Sequence, residues 1–176
     1  MAEPLDLDEV KLHLRVVRDA EDALIGGLIT AAREWVENFT GQLLVPLEIT
    51  QRFDAFCNLA LHAWPIAADA VIAVTYVDSA GETQNIGDAR LVVGNASADV
   101  APAMGSVWPT TYGPVGVTVT AGYSDAAAVP QSLKQAMLLL IGSWYNNRES
   151  VSERPLTEVP MAVEMLCMPY RLRLIG

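Results

Sequence analysis

The sequence has 176 residues, of which 52% are hydrophobic and 18% are charged, and its formal net charge is −10 at neutral pH. This composition is typical of a folded protein with a sizeable core and excludes a disordered chain. The acidity argues against a protein that grips nucleic acid phosphates, because such binding depends on basic side chains that neutralise them.

Two helices are predicted in the first forty residues. Asp6, with Glu9 three residues later, resembles a capping box that begins a short first helix. A second helix is predicted over about residues 19–39, with Gly41 suited to its C-terminal cap. The apolar contacts of the first helix are assigned to Val10, Leu12 and Leu14. The apolar stripe of the second is assigned to Leu24, Leu28, Ala31, Ala32, Trp35 and Phe39.

The middle of the chain, residues 42–129, is predicted to be a β-rich insertion. Apolar and polar residues alternate over residues 47–53, which indicates a strand with one buried face. The segment 94–114 is rich in Gly, Pro, Ala and Ser and is predicted to be a long irregular loop. Further strands are predicted over residues 71–77, 83–86, 90–93 and 117–120.

The most apolar helix is predicted over about residues 130–147, with Pro130 at a position where a helix tolerates a missing N–H. One stripe at helical spacing is predicted to build the protomer core: Leu133, Met137, Leu140 and Trp144. Apolar side chains continue around the helix, so other faces must also be covered. We therefore predict that part of the opposite face lies at or near a contact with a second copy, through Leu138, Ile141 or Tyr145.

A last short helix, predicted over residues 161–168, is followed by a tail in which apolar and basic side chains alternate. Alternate residues share one face of a strand, so the tail is suited to adding a strand to the sheet edge of another protein. Packing of the tail on its own helices is an equally weighted alternative. The docking hypothesis concerns Tyr170, Arg171, Leu172, Arg173, Leu174 and Ile175.

Chemistry-bearing motifs are absent from the sequence. His13 and His62 do not lie at metal-ligand spacing from a cysteine or from each other. No phosphate-binding glycine loop, nucleophile elbow or zinc-protease helix is visible. We therefore predict no catalytic, cofactor or metal site. Trp108, on the irregular loop, is left as either a packing residue or an anchor for a partner.

Targeting and membrane segments are also not visible. The longest apolar run, residues 136–141, is far shorter than the ~20 residues that cross a bilayer. The acidic N-terminus lacks the basic and apolar regions of a secretory signal. Cys57 and Cys167 lie in unrelated segments, where core packing is more typical than a disulfide. The expectation is a soluble protein made in the cytoplasm, without a membrane partner.

Segments along nearly the whole chain resemble the head–tail connector (head-completion adaptor) proteins of long-tailed phages and related gene-transfer particles. Their order and spacing carry the resemblance more than any single segment does. The N-terminal matches are LDEVKLHLRV at 7–16, DAEDALI at 19–25, AARE at 31–34 and TG at 40–41. The later matches are VTYVD at 74–78, WP at 108–109, VTVTAGY at 117–123, VP at 129–130, LKQA at 133–136 and WYNNRE at 144–149.

The resemblance implies a structural protein without catalytic residues. It implies a homo-oligomeric ring beneath the portal that extends the DNA channel and offers a platform to the tail. The implied partners are further copies of the chain, the portal, a tail-side connector or stopper protein, and double-stranded DNA that passes without specific binding. The implied location is the head–tail junction of the particle, reached from the host cytoplasm during assembly.

The expected fold is α+β. Residues 1–41 and 130–176 are expected to form one helical unit around the β-rich, antiparallel insertion. Two other classes of function stay open from the residues alone, namely a monomeric protein-binding module and a small enzyme. An enzyme would need a polar pocket, for which only the loop at residues 94–114 offers irregular backbone.

Overall fold

The computed structural model describes residues 3–94, 97–147 and 161–172. In these residues four α-helices accompany two antiparallel sheets, which confirms the predicted α+β class. The chain forms two compact units. The helical unit combines Met1–Val45 with Tyr123–Gly176, and the β-unit is Pro46–Gly122.

The helical unit contains α1 (Leu7–Leu14), α2 (Asp22–Thr40), α3 (Gln131–Asn146) and α4 (Met161–Cys167), with 3₁₀ turns at Asp19–Glu21 and Met168–Tyr170. The predicted N-cap of α1 is confirmed, because the Asp6 carboxylate accepts a hydrogen bond of 2.6 Å from the Glu9 amide. The predicted cap of α2 is also confirmed, since Gly41 has a φ of +75°, a conformation that glycine adopts without steric cost.

The core of the helical unit forms where α2 and α4 pack on α3, with α1 packed on α2 and α3. The predicted apolar stripe of α2 is wrong at Leu24 and Ala31, which are exposed. It is confirmed at the other four positions, because Ala32 is buried and the partly buried side chains of Leu28, Trp35 and Phe39 pack against the core. The buried residues are Ile25, Ile29, Ala32, Val36 and Thr40. The predicted contact of Leu12 is also wrong, since that side chain is 81% exposed. The apolar face of α2 that contacts the core is therefore wider than the predicted stripe.

The β-unit contains seven short strands: β1 (Leu47–Phe53), β2 (Leu59–Leu61), β3 (Ile72–Val77), β4 (Thr83–Ile86), β5 (Arg90–Val93), β6 (Ala98–Ala101) and β7 (Val115–Ala121). One sheet has the order β1-β7-β3-β4 and the other the order β2-β6-β5, with every described pairing antiparallel. Strand β7 is central, and alternate residues bury its inner face: Val115, Val117, Val119 and Ala121.

Two short strands depart from the predicted pattern. Strand β6 lies within the segment 94–114 that was predicted to be irregular, and β2 was not predicted. Each has only three or four residues, too few for an alternating pattern to be distinguished from a loop. The cysteine prediction holds for Cys167, which is buried and free, and is wrong for Cys57, which is exposed.

Candidate interaction surfaces

Helix α3 is covered mainly by its own unit. Leu133, Met137 and Leu140 are fully buried, and Trp144 is partly buried against the same core. Leu138 is 7% exposed and Ile141 is 0% exposed. Ile141 therefore has no surface to offer a second copy, and its side chain belongs to the protomer core. Of the three residues predicted at a subunit contact, Leu138 and Ile141 are buried and Tyr145 is partly exposed.

Tyr145 lies at the C-terminal end of α3 and is partly buried. Its hydroxyl donates a hydrogen bond to a carboxylate oxygen of Glu21, in the turn that precedes α2. The ring of Tyr145 also packs against the helical core. The residue thus connects two elements of its own unit.

The first residues of the tail are held by a buried side chain that the sequence did not single out. Gln42 is 6% exposed, and its Nε2 donates a hydrogen bond of 2.6 Å to the carbonyl oxygen of Tyr170. The Tyr123 hydroxyl donates to Gln42 Oε1 at 2.8 Å. Burial raises the pKa of Tyr123, with Tyr170 as a further cause. One glutamine therefore ties together segments that are far apart in the sequence.

The tail then runs beside the end of α2. The Leu172 amide donates a hydrogen bond of 2.7 Å to the carbonyl oxygen of Thr40. The Arg171 guanidinium lies 5.3 Å from the centre of the Phe39 ring, within the range of a cation–π contact. Tyr170, Arg171 and Leu172 therefore contact their own helical unit. The remaining docking candidates lie outside the described residues, namely Arg173, Leu174 and Ile175.

Ion pairs fix the N-terminal part of the helical unit. Lys11 Nζ lies 2.7 Å from carboxylate oxygens of both Asp19 and Asp22. Hydrogen bonds to these two carboxylates, Asp19 first, raise the pKa of Lys11, and Lys11 lowers the pKa of Asp19. The pairs join α1 to the start of α2 across the connection between them.

A second ion-pair group lies on α2. Arg33 binds Glu3 at 2.8 Å and Glu37 at 2.6 Å, and the other oxygen of Glu37 accepts a hydrogen bond of 2.8 Å from the Leu44 amide. Glu37 thus joins its helix to the chain that leaves it. These partly buried pairs are structural contacts, and they leave the acids no free role at a ligand site.

The β-unit is strongly acidic. Between Pro46 and Gly122 the sequence has seven acidic residues and two arginines, a net charge of −5. The exposed acids are Glu48, Asp54, Asp69, Glu82, Asp88 and Asp99. Asp78 is structural, because its carboxylate accepts hydrogen bonds from Gln84 Nε2 at 2.8 Å and from the amides of Ala80 at 2.9 Å and Glu82 at 3.0 Å. This surface repels a polyanion.

Trp108 has a packing role in the β-unit. Its ring stacks on Phe56 with the ring centres 4.8 Å apart and the planes at 13°. The ring of Tyr76 also packs on Phe56, with the ring centres 5.7 Å apart and the planes at 57°. Other large apolar side chains of the β-unit are exposed, namely Val71, Met104, Val107 and Tyr112. Trp108 itself is only partly exposed. Its ring therefore packs within the β-unit, and this packing role takes precedence over the predicted role as an anchor for a partner.

His13 and His62 are exposed, and no group of three metal-binding side chains comes together in the described part of the chain. Burial raises the pKa of Cys167 to about 11, which disfavours its thiolate. Three open grooves have volumes of about 290, 330 and 470 Å³, and no described histidine or cysteine lines any of them. No helix in the described ranges is long and apolar enough to cross a membrane.

The sequence and the fold of this chain are similar to those of proteins from phage and gene-transfer particles. The family described as phage gp6-like head-tail connector protein matches residues 4–84 and 91–171. No curated protein matches the chain.

Solved particle structures contain similar chains. A chain in "Neck of empty GTA particle computed with C6 symmetry" is 28% identical with a TM-score of 0.75, over 98% of this chain and 92% of that one. A chain in "Virion of native gene transfer agent (GTA) particle" is 26% identical with a TM-score of 0.77, over 100% and 95%. A chain in "Neck of native GTA particle computed with C12 symmetry" is 24% identical with a TM-score of 0.71, over 99% and 92%, and shows the shared fold.

Proposed function

The chain belongs to the phage gp6-like head–tail connector family, and we propose that it forms a homo-oligomeric ring below the portal of a virion or gene-transfer particle. The ring extends the DNA channel and provides the platform on which the tail, through a tail-side connector or stopper protein, docks. It assembles from subunits made in the host cytoplasm. The observation that carries this proposal is the full-length likeness to a chain in a particle neck, at 28% identity and a TM-score of 0.75.

The ring is supported by the symmetry of that neck, which was computed as C6. Rotational symmetry repeats one subunit around an axis, and each subunit must then offer two different, complementary surfaces to its neighbours. The helical unit carries exposed apolar side chains at both of its chain segments, including Val17 at 91% and Met161 at 76% exposure. Contacts between copies would cover such side chains.

The acidic β-unit supports passage of DNA without binding. A duplex carries one negative charge per ~1.7 Å of its axis, and a protein gains affinity when its basic side chains displace counterions. The net charge of −10 opposes that gain. Purified protein is expected to show no retention of duplex DNA at physiological salt, measured by electrophoretic mobility. Tight, salt-sensitive binding would contradict this part of the proposal.

Portal docking is assigned to the end of the tail, residues 173–175. The contacts of Gln42 with Tyr170 and of Leu172 with Thr40 hold the tail as far as Leu172. This anchor fixes the position of the chain immediately before residues 173–175. In the sequence, Arg173 is followed by the apolar residues Leu174 and Ile175, and side chains of this kind suit the pockets that flank a strand added to a sheet edge.

Deletion of residues 173–176 tests docking without removing the anchor. The shortened protein is expected to unfold at the same urea concentration as the full chain but to lose attachment to portal-containing, tail-less heads in co-sedimentation. Arg171→Ala is the matched control, because it removes a tail guanidinium and keeps the end of the chain. Normal attachment of the shortened protein would contradict the docking role.

The function as a whole is tested with the same heads. Bound protein is released and its stoichiometry relative to portal is determined by quantitative mass spectrometry. Several copies per portal ring, in a fixed ratio, are expected. A protein that never attaches to heads, or that attaches as one copy, would instead favour a monomeric binding module.

A further inference from the structure

Helix α4 and the first residue of the 3₁₀ turn after it carry an exposed row of methionines, called here the methionine face of α4. Met161, Met165 and Met168 follow at spacings of four and three residues, and they are 76%, 69% and 55% exposed. Glu164 is exposed on the same side. Val163 and Cys167 are fully buried against the helical core, so α4 cannot rotate to hide its methionines. Exposed methionines in a row are typical of contact surfaces, because their flexible side chains adapt to a partner.

A second exposed surface lies at the connection between α1 and α2. Arg15 caps the C-terminal end of α1 with a φ of +58°. The Val16 amide then donates a hydrogen bond of 2.9 Å to the carbonyl oxygen of Lys11. The turn presents Val17, which is 91% exposed. A groove of about 470 Å³ opens here, lined by Arg15, Val16, Val17, Arg18, Ala20 and Glu21.

Charge distinguishes these two surfaces. Within residues 3–94, 97–147 and 161–172, the carboxylates within 4.0 Å of basic groups pair with Lys11 or Arg33, and neither Arg15 nor Arg18 has such a partner. Both arginines are exposed. In the same ranges Glu164 forms no salt bridge either. One surface is therefore apolar with an unpaired acid. The other combines Val17 with two unpaired cations and with Glu21, whose carboxylate accepts a hydrogen bond from Tyr145.

We propose that the methionine face of α4 in one copy docks into the groove at residues 15–21 of the next copy. This inference rests on the proposed ring and names its subunit contact. The two surfaces differ, as a head-to-tail contact requires, and each carries what the other lacks. The methionines cover Val17, and Glu164 approaches Arg15 and Arg18.

The two kinds of group have separate roles in this contact. Burial of the methionines and Val17 supplies the favourable free energy of association. The charges at the edge contribute less energy but select the register and reject a wrong orientation. Two methionine faces placed together would bring two Glu164 side chains together, which disfavours a symmetric pair. The contact is also independent of Ile141, which remains in the core.

Cysteine cross-linking tests the pairing directly. In a Cys57→Ser background, which removes the exposed native thiol, three proteins are prepared: Val17→Cys, Met165→Cys and the protein with both changes. Each is bound to portal-containing, tail-less heads and treated with a short bismaleimide. The doubly changed protein is expected to give a ladder of cross-linked multimers, and each singly changed protein is expected to stay monomeric on denaturing gels. Val17→Cys with Met104→Cys, at a site 85% exposed in the β-unit, is the matched control and should give no ladder.

A charge exchange provides the second test. Arg18→Glu is expected to abolish the ladder, and Arg18→Glu combined with Glu164→Arg is expected to restore it. The pairing is overturned if the doubly changed protein attaches to heads but gives no ladder. It is also overturned if the Met165→Cys protein cross-links to another copy of itself, or if the doubly changed protein cross-links only to the portal. Those outcomes leave the connector function standing, because attachment to heads is measured separately. Failure of the Cys57→Ser protein and the unchanged chain to attach would instead overturn the proposed function.

Discussion

The anchor at Gln42 allows a quantitative test of how the tail is positioned. Gln42→Ala removes two hydrogen bonds, one of 2.6 Å to the Tyr170 carbonyl and one of 2.8 Å from the Tyr123 hydroxyl. A buried polar group left without a partner costs about 1–3 kcal/mol. Both tyrosines are partly exposed, so water replaces part of the loss. The lower end of the range applies to each, and we expect the free energy of unfolding to fall by about 2 kcal/mol.

Urea denaturation followed by fluorescence measures this change, and hydrogen exchange at the Leu172 amide reports the tail separately. We expect faster exchange at Leu172, because its bond to Thr40 depends on the neighbouring Tyr170 being held. Gln135→Ala, at an exposed position of α3, is the control and should change the free energy of unfolding by less than about 0.5 kcal/mol. A similarly small effect of Gln42→Ala, with unchanged exchange, would refute the anchor.

Three further predictions concern the core, the central strand and a turn. Ile141→Asp places a carboxylate at a fully buried site and should cost more than about 4 kcal/mol, seen as loss of the folded monomer by circular dichroism. Gly116→Ala should cost about 1–3 kcal/mol in urea denaturation, because the new Cβ would lie 2.6 Å from Thr75 Oγ1. The hydrogen bond from Gln84 is the chief cause that lowers the pKa of Asp78 below its ordinary value of 3.8. The charged carboxylate therefore stabilises the fold at pH values above 3.8, and this stabilisation is lost as the pH falls through the lowered pKa. Asp78→Asn should therefore be less stable than the unchanged chain at pH 7, and urea curves at decreasing pH should converge.

Each of these changes has a matched comparison. Leu12→Asp introduces the same charge at an 81% exposed site and should stay folded. Gly87→Ala meets no atom within 4 Å and should be nearly neutral. A soluble, folded Ile141→Asp monomer would return that residue to the subunit contact. Equal effects of the two alanine changes would contradict the close approach at Gly116, and a pH-independent Asp78→Asn difference would contradict the assigned charge.

The fold class was predictable because strong local signals agree with the final packing. The Asp6 cap, the Gly41 cap and the alternating residues of β7 each specify an element without help from the rest of the chain. The phase of α2 was not predictable in the same way. Leu24 and Ala31 are exposed whereas Ile25 and Ile29 are buried, a difference that depends on the helices packed against α2 and not on its own sequence. Strands β2 and β6 depend on pairing with each other, which is not visible over three or four residues.

The interaction surfaces were predictable only in part. The burial of Ile141 follows from helices packing on several sides of α3, and a helix that is apolar all round does not reveal whether its own unit or a neighbour covers it. Gln42 gave no local signal, because its partners are 81 and 128 residues away. The methionine face of α4 did give one, since Met161, Met165 and Met168 recur at helical spacing. A pattern of this kind identifies one side of a helix, and the burial of Cys167 shows which side is exposed.

We propose that copies of this chain form a closed ring at the head–tail junction. The most direct measurement is electron cryomicroscopy of portal-containing heads bound to the purified protein, with the neck reconstructed without imposed symmetry. The account predicts a ring of identical subunits below the portal, with α4 of each copy against the 15–21 groove of the next and an open channel along the axis. A single bound copy, or no density for the chain at the portal, would contradict it.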